Sequence, residues 1–161
     1  MPRNSAARDL VVIPGGMQPL DFSQNPGFLV GRLARRTGLD LDRRVRPFGV
    51  TFAQAALLAR LWQRSGLTQS QLQDEVGVDA STMTGLLQRL GRLRLIRRRR
   101  DRRDSRLQRV YLTDRGRELF PRLNVEAEAT TGRLLSGFSE AEADQLCELL
   151  RRALANFEAT S

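Results

Sequence analysis

The chain has 161 residues, 40% of them apolar, with one Trp and one Tyr, enough for one domain with a modest core or one domain carrying helical arms. It has no histidine and a formal charge of +9, which excludes a His-based triad and ordinary zinc sites and favours a polyanionic partner. No stretch approaches the roughly 20 apolar residues that span a bilayer, Leu10 to Ile13 is too short for a signal peptide, and a lone Cys147 forms no internal disulfide, so a cytoplasmic location is expected.

Residues 1–27 hold Pro2, Pro14, Gly15, Gly16, Pro19, Pro26 and Gly27 with no helical period, and read as a loosely ordered arm. A helix is expected from Phe28 to near Gly38, followed by a polar connection, DLDRRVRPFG, in which Pro47 bars helix. Thr51 with Gln54 forms a capping box for a helix whose apolar positions are Ala55, Leu58, Ala59 and Trp62. Thr68 with Gln71 opens a shorter helix that turns Leu72 and Val76 inward and stops at Gly77. Asp79 then caps a helix with Met83, Leu86, Leu87 and Leu90 as its buried stripe. Helix, three-residue turn, helix is the helix-turn-helix pattern.

After Leu95-Ile96 the run RRRRDRRDSRLQRVYL reads as two short strands around a charged turn, with Val110 and Leu112 facing one way and Arg109 and Tyr111 the other. A long helix begins at Thr113, with Leu119, Leu123, Ala127 and Leu134 along one side. Pro121 is expected to kink it unless the helix starts there. Ser139 with Glu142 caps a last helix that carries Leu146, Leu149, Leu150, Ala153, Leu154 and Phe157 on a single face. So many large apolar residues on one terminal helix call for a partner, and a dimer interface is expected at Leu146, Leu149, Leu150, Leu154 and Phe157.

The charge is concentrated. Between Arg89 and Arg109, 21 residues hold eleven arginines and two aspartates, while the remainder balances 16 arginines against 16 acids. A β-ribbon tip with Arg102, Arg103 and Arg106 suits a phosphate backbone and the minor groove. Asp101 and Asp104 would repel phosphate, so their expected role is to orient guanidinium groups. The second helix of the pair leaves Ala80, Ser81, Thr82, Thr84, Gln88 and Arg89 outward, small polar side chains that suit base edges. Thr68, Gln69 and Ser70, with Arg89, Arg97 and Arg98, are placed to meet phosphates.

Three segments carry a resemblance: LTQSQLQDEVGVDASTMTGLLQRLGRLRLIRR at 67–98, DRRDSR at 101–106, which fits a D-x-R-D-x-R wing, and LTDRGRELF at 112–120. Together they resemble the MarR (multiple-antibiotic-resistance regulator) family of winged helix-turn-helix transcriptional regulators, over roughly residues 28–158. The resemblance implies a mainly α fold with a small β-hairpin wing, a winged helix-turn-helix core at 51–113, and dimerisation helices at 28–46 and 114–158. It further implies a homodimer, a second motif helix in the major groove, and a minor-groove contact from Arg103. Asp101 and Asp104 match the carboxylates that hold wing arginines, and many members repress nearby genes until a small aromatic or lipophilic ligand binds. Two departures stand out: Gly85 where many relatives have a basic residue, and Arg94 where they have glycine.

The expected function is therefore sequence-specific double-stranded DNA binding by a ligand-responsive repressor, acting as a homodimer on a pseudo-palindromic operator. Phe28, Arg32, Phe48, Phe52 and Trp62 are candidates for lining an effector pocket, and most of them suit a core better. Cys147 reads as a buried helical thiol rather than a redox sensor. With no P-loop and no G-x-G-x-x-G, an enzyme is not expected, nor is a cofactor, a metal or a membrane partner. The alternative is a non-specific architectural DNA-binding protein or an RNA-binding protein. Against RNA stand the wing motif and the absence of interleaved aromatics.

Overall fold

The computed structural model describes residues 22–101, 103–104 and 106–158. The expected arm falls almost wholly outside these residues, as does Arg102 of the wing tip. Six α-helices and three short strands follow in the order α1 (Pro26–Val45), α2 (Phe52–Gln63), β1 (Leu67–Thr68), α3 (Gln69–Val76), α4 (Ala80–Arg92), β2 (Ile96–Arg100), β3 (Gln108–Leu112), α5 (Asp114–Leu134) and α6 (Glu140–Glu158). The chain divides into two compact units between Arg36 and Thr37, within α1.

In the first unit the Asn25 side chain accepts from the Phe28 amide at 3.0 Å and so starts α1. The Phe28 ring lies 5.4 Å from that of Phe22, and the Arg32 guanidinium sits 5.7 Å above it.

The second unit carries the core. Thr51 and Thr68 each close a capping box, with Gln54 and Gln71, and Asp79 caps α4 through the Thr82 amide. Gly77 ends α3 at φ +71°, a left-handed conformation that glycine adopts without the Cβ penalty. The helices bury Leu57, Leu58 and Leu61 of α2, Leu72 of α3, and Met83, Leu87 and Leu90 of α4. Val110 and Leu112 close the core from the sheet, as a period of two requires.

The sheet has three antiparallel strands in the order β1-β3-β2. Leu67 pairs with Val110 and Thr68 with Arg109, while Ile96 pairs with Leu112 and Arg99 with Arg109. Strand β1 is an addition to the expected hairpin. Two residues are too few to show a period, and only the pairing with β3 makes them a strand.

Three further elements differ from expectation. Helix α1 continues past Gly38 to Val45, because Asp40 pairs with Arg44 at 2.9 Å and Asp42 with Arg46 at 3.2 Å, each one helical turn apart. Pro47 acts only afterwards, in a 3-10 turn over Arg46–Phe48. Helix α5 runs on through Pro121, whose neighbours Phe120 and Leu123 are buried. Trp62 lies off the buried face of α2: it is 47% exposed and stacks on Phe120 at 4.8 Å, while Leu57 and Leu61 take the inward positions.

Helix α5 is tied to the end of α1 by Asp40, which accepts from the Thr130 hydroxyl at 3.1 Å and from Arg133 at 2.6 Å. The Arg44 hydrogen bond is the largest cause holding the Asp40 carboxyl below its ordinary range. Gly116 lets α5 cross the turn after α4, since a Cβ there would overlap the Leu95 carbonyl.

Candidate nucleic-acid interface

The second motif helix, α4, places its polar residues as its periodicity requires: Ser81, Thr82, Gln88 and Arg89 are exposed and Thr84 is half-buried. Asp79 does more than cap it. Its carboxylate accepts from the Ser81 hydroxyl at 2.6 Å, the Thr82 hydroxyl at 2.6 Å and the Thr82 amide at 2.8 Å. These bonds, the Ser81 hydroxyl first and Thr82 next, hold its carboxyl far below the usual carboxylate range.

Of the residues expected to meet phosphate from the front of α3, Thr68 and Ser70 share a hydroxyl hydrogen bond of 3.0 Å, and Thr68 also caps its own helix. Gln69 has a partner within the protein. Its amide nitrogen donates to the Thr84 hydroxyl at 2.9 Å, which joins α3 to α4. The packing of one helix on the other makes Gln69 and Thr84 partners.

Strands β2 and β3 carry the basic segment into the wing. Arg97 to Arg100 are all exposed on the edge strand β2. At the turn, Asp101 accepts from the amides of Arg103 at 2.7 Å and Asp104 at 3.0 Å, while Asp104 accepts from the Arg106 amide at 3.0 Å and its Nε at 3.3 Å. Asp104 thus pairs with the Arg106 guanidinium. Asp101 pairs with Arg109 of β3, whose Nη1 also donates to the Gly66 carbonyl at 2.8 Å.

Arg109 therefore clamps the wing base to the turn that enters β1. Its bond to Asp101, with the two turn amides, pulls the Asp101 carboxyl down to about 2. The alternation along β3 alone turns Arg109 away from Val110. Its register opposite Thr68, one strand pair away, was the missing signal.

The two departures find separate explanations. Arg94 sits at φ +57°, the left-handed conformation that glycine adopts without strain. A Cβ at Gly85 would meet nothing within 4 Å, so core packing does not require that glycine.

The five effector candidates are divided between the two units. Phe28 and Arg32 belong to the first unit, Phe52 is exposed with its ring 3.8 Å from a Cβ built at Gly38, and Trp62 stacks on Phe120. Phe48 lines a cavity of about 370 Å³, with Leu93, Leu95, Arg115, Glu118 and Arg122. The Arg122 guanidinium lies 4.8 Å from the Phe48 ring centre.

No described side chain of α6 is buried, and Leu149, Leu150, Leu154 and Phe157 are exposed, the last by 78%. Leu146 is half-buried. Cys147 is exposed in the single chain, contrary to expectation, because α6 packs so little of its surface on its own core.

Residues 50–107, the helix-turn-helix and the start of the wing, match the MarR family. Over those residues the chain carries a MarR family domain. It is 26% identical over 129 residues to the uncharacterised HTH-type transcriptional regulator YybA of Bacillus subtilis, across 80% of this chain and 86% of YybA. A MarR transcriptional regulator from Methanosarcina mazei Go1 superposes with a TM-score of 0.78 at 26% identity, covering 84% of this chain and 97% of that one. BpsR of Bordetella bronchiseptica, whose DNA binding is regulated by 6-hydroxynicotinic acid, superposes with a TM-score of 0.76 at 27% identity, covering 84% and 96%. The chain is thus a DNA-binding transcriptional regulator with a winged-helix fold, and not an enzyme. Among its described residues no helix is long and apolar enough to cross a membrane.

Proposed function

We propose that this protein is a homodimeric, sequence-specific repressor that straddles a pseudo-palindromic operator and responds to a small ligand. The observation that carries the reading is the placement of charge. The segment holding the whole net charge is the end of α4, the edge strand β2 and the wing, and it adjoins the polar face of α4. Ser81, Thr82, Thr84 and Gln88 face bases; Thr68, Ser70, Arg89, Arg97, Arg98 and Arg106 meet phosphates, and Arg103 enters the minor groove.

Residues 28–46 and 114–158 supply the dimerisation helices. The exposed apolar face of α6 supports this, since a contiguous face of that kind marks an interaction site. The effector is a small planar acid seated against Phe48, with Arg115 and Arg122 for its carboxylate. The cavity chemistry and the regulation of BpsR by 6-hydroxynicotinic acid support that choice.

The test is selection of random duplexes by the purified protein, followed by competition at fixed salt. A two-fold symmetric site preferred over random duplex by about 10³ or more is the expected result. Tight, salt-sensitive binding to every duplex, or a preference for folded RNA, would replace this reading with a packaging or RNA-binding role.

A further inference from the structure

The hydroxyl hydrogens at the start of α4 are already spent inside the protein. Ser81 and Thr82 donate theirs to the two oxygens of Asp79, each at 2.6 Å, and Thr84 donates to the Ala80 carbonyl at 2.8 Å. An ionised carboxylate and a carbonyl only accept, so the direction of each bond is forced. A hydroxyl has one hydrogen and two lone pairs. Ser81 and Thr82 therefore offer a partner lone pairs alone. Thr84 offers less, because Gln69 already donates to its oxygen at 2.9 Å.

We infer that Asp79 sets the base preference of α4 by making Ser81 and Thr82 acceptor-only readers, matched to bases that present an exocyclic amino group in the major groove. Those are adenine, through N6, and cytosine, through N4; guanine N7 and O6 and thymine O4 are acceptors and would face a second acceptor. The inference rests on the sequence-specific reading above and narrows it. Asp79 itself is a positioning residue. Its negative charge would repel DNA phosphate, yet it stands at the N-terminus of the helix that approaches the DNA, and fixing two hydroxyl rotors is a function it performs there.

The test begins with the half-site selected by the full chain, and with the variants Asp79→Asn and Ser81→Ala/Thr82→Val. Single atoms of the site are then removed: purine for adenine and 2-pyrimidinone for cytosine delete the amino group, and 7-deazaguanine deletes N7. At one or two positions, loss of the amino group is expected to weaken wild-type binding about five-fold or more and to leave the double variant unaffected. The amide introduced by Asp79→Asn keeps an oxygen for the helix cap but adds an N–H donor, so one hydroxyl turns round and becomes a donor. The base selected there should then shift towards guanine or thymine.

A uniform loss of affinity in Asp79→Asn with unchanged base preference would reduce Asp79 to a helix cap and overturn the inference. So would a wild-type dependence on guanine N7 that the double variant lacks. If the wild type enriches no site at all, the sequence-specific reading itself fails and this inference with it; an enriched site without amino-group dependence removes the inference alone.

Discussion

Gln69, the first residue of α3, donates its side-chain amide to the hydroxyl of Thr84, fifteen residues on in α4, at 2.9 Å. The two helices of the motif are thereby linked at their polar surface as well as through Leu72, Met83 and Leu87 below it. Replacing Gln69 with Ala should cost about 0.5–1.5 kcal/mol in urea unfolding, the ordinary net worth of one such bond. It should leave the salt dependence of DNA binding unchanged. A slope in log Kd against log salt that falls by about 0.9 would show instead that Gln69 positions an arginine on a phosphate.

The clamp at the base of the wing predicts a separable effect. Arg109→Gln removes the ion pair to Asp101 and the bond to Gly66, so the turn bearing Arg103 loses its anchor. Specific affinity should fall while the salt slope stays near that of the wild type, because Arg109 holds the wing rather than a phosphate. Folded Asp101 titrates at about 2 against an ordinary 3.8. Its contribution to stability is thus complete above pH 3.8 and is lost as the pH falls towards 2. Carboxyl-carbon NMR should place the Asp101 midpoint near 2 in the wild type and closer to 3.8 in Arg109→Gln.

Arg103→Ala tests the wing tip directly. Specific binding should weaken by at least about ten-fold at fixed salt, with the loss greatest on sites whose flanks have a narrow minor groove. An unchanged Kd would mean that the wing tip does not enter the groove.

Backbone conformation makes three substitutions informative together. Arg94→Gly relieves a left-handed residue and Gly85→Ala improves a helix interior, so each should raise stability by about 1 kcal/mol. Gly116→Ala drives a Cβ into the Leu95 carbonyl and should lower the melting temperature markedly. If Gly85→Ala is more stable yet binds DNA poorly, the glycine serves close approach to the duplex.

The exposed α6 face predicts a monomer on disruption. Leu150→Asp with Leu154→Asp should halve the mass seen by sedimentation and abolish binding to a two-site operator, while binding to a single half-site persists weakly. A wild-type chain that is monomeric at micromolar concentration would remove the dimer from the proposal.

Much of this molecule is written in short-range signals, because capping and hydrophobic period act within a turn or two of chain. The boxes at Thr51 and Thr68, the Asp79 cap, the Gly77 stop and the inward Val110 and Leu112 all depend on residues close together in the chain. The charge of the wing and its D-x-R-D-x-R pattern are likewise local, and they sufficed to point to DNA. What only the tertiary structure decided involves partners far apart in sequence. Strand β1 exists because Val110 lies opposite Leu67, Arg109 is a clamp because Gly66 is within its reach, and Gln69 meets Thr84 because α3 and α4 cross there. Trp62 fits the helical stripe of α2 but finds Phe120 of α5 at the margin of the core. Periodicity tells which side of an element is apolar, and the packing of other elements decides how much of that side is covered.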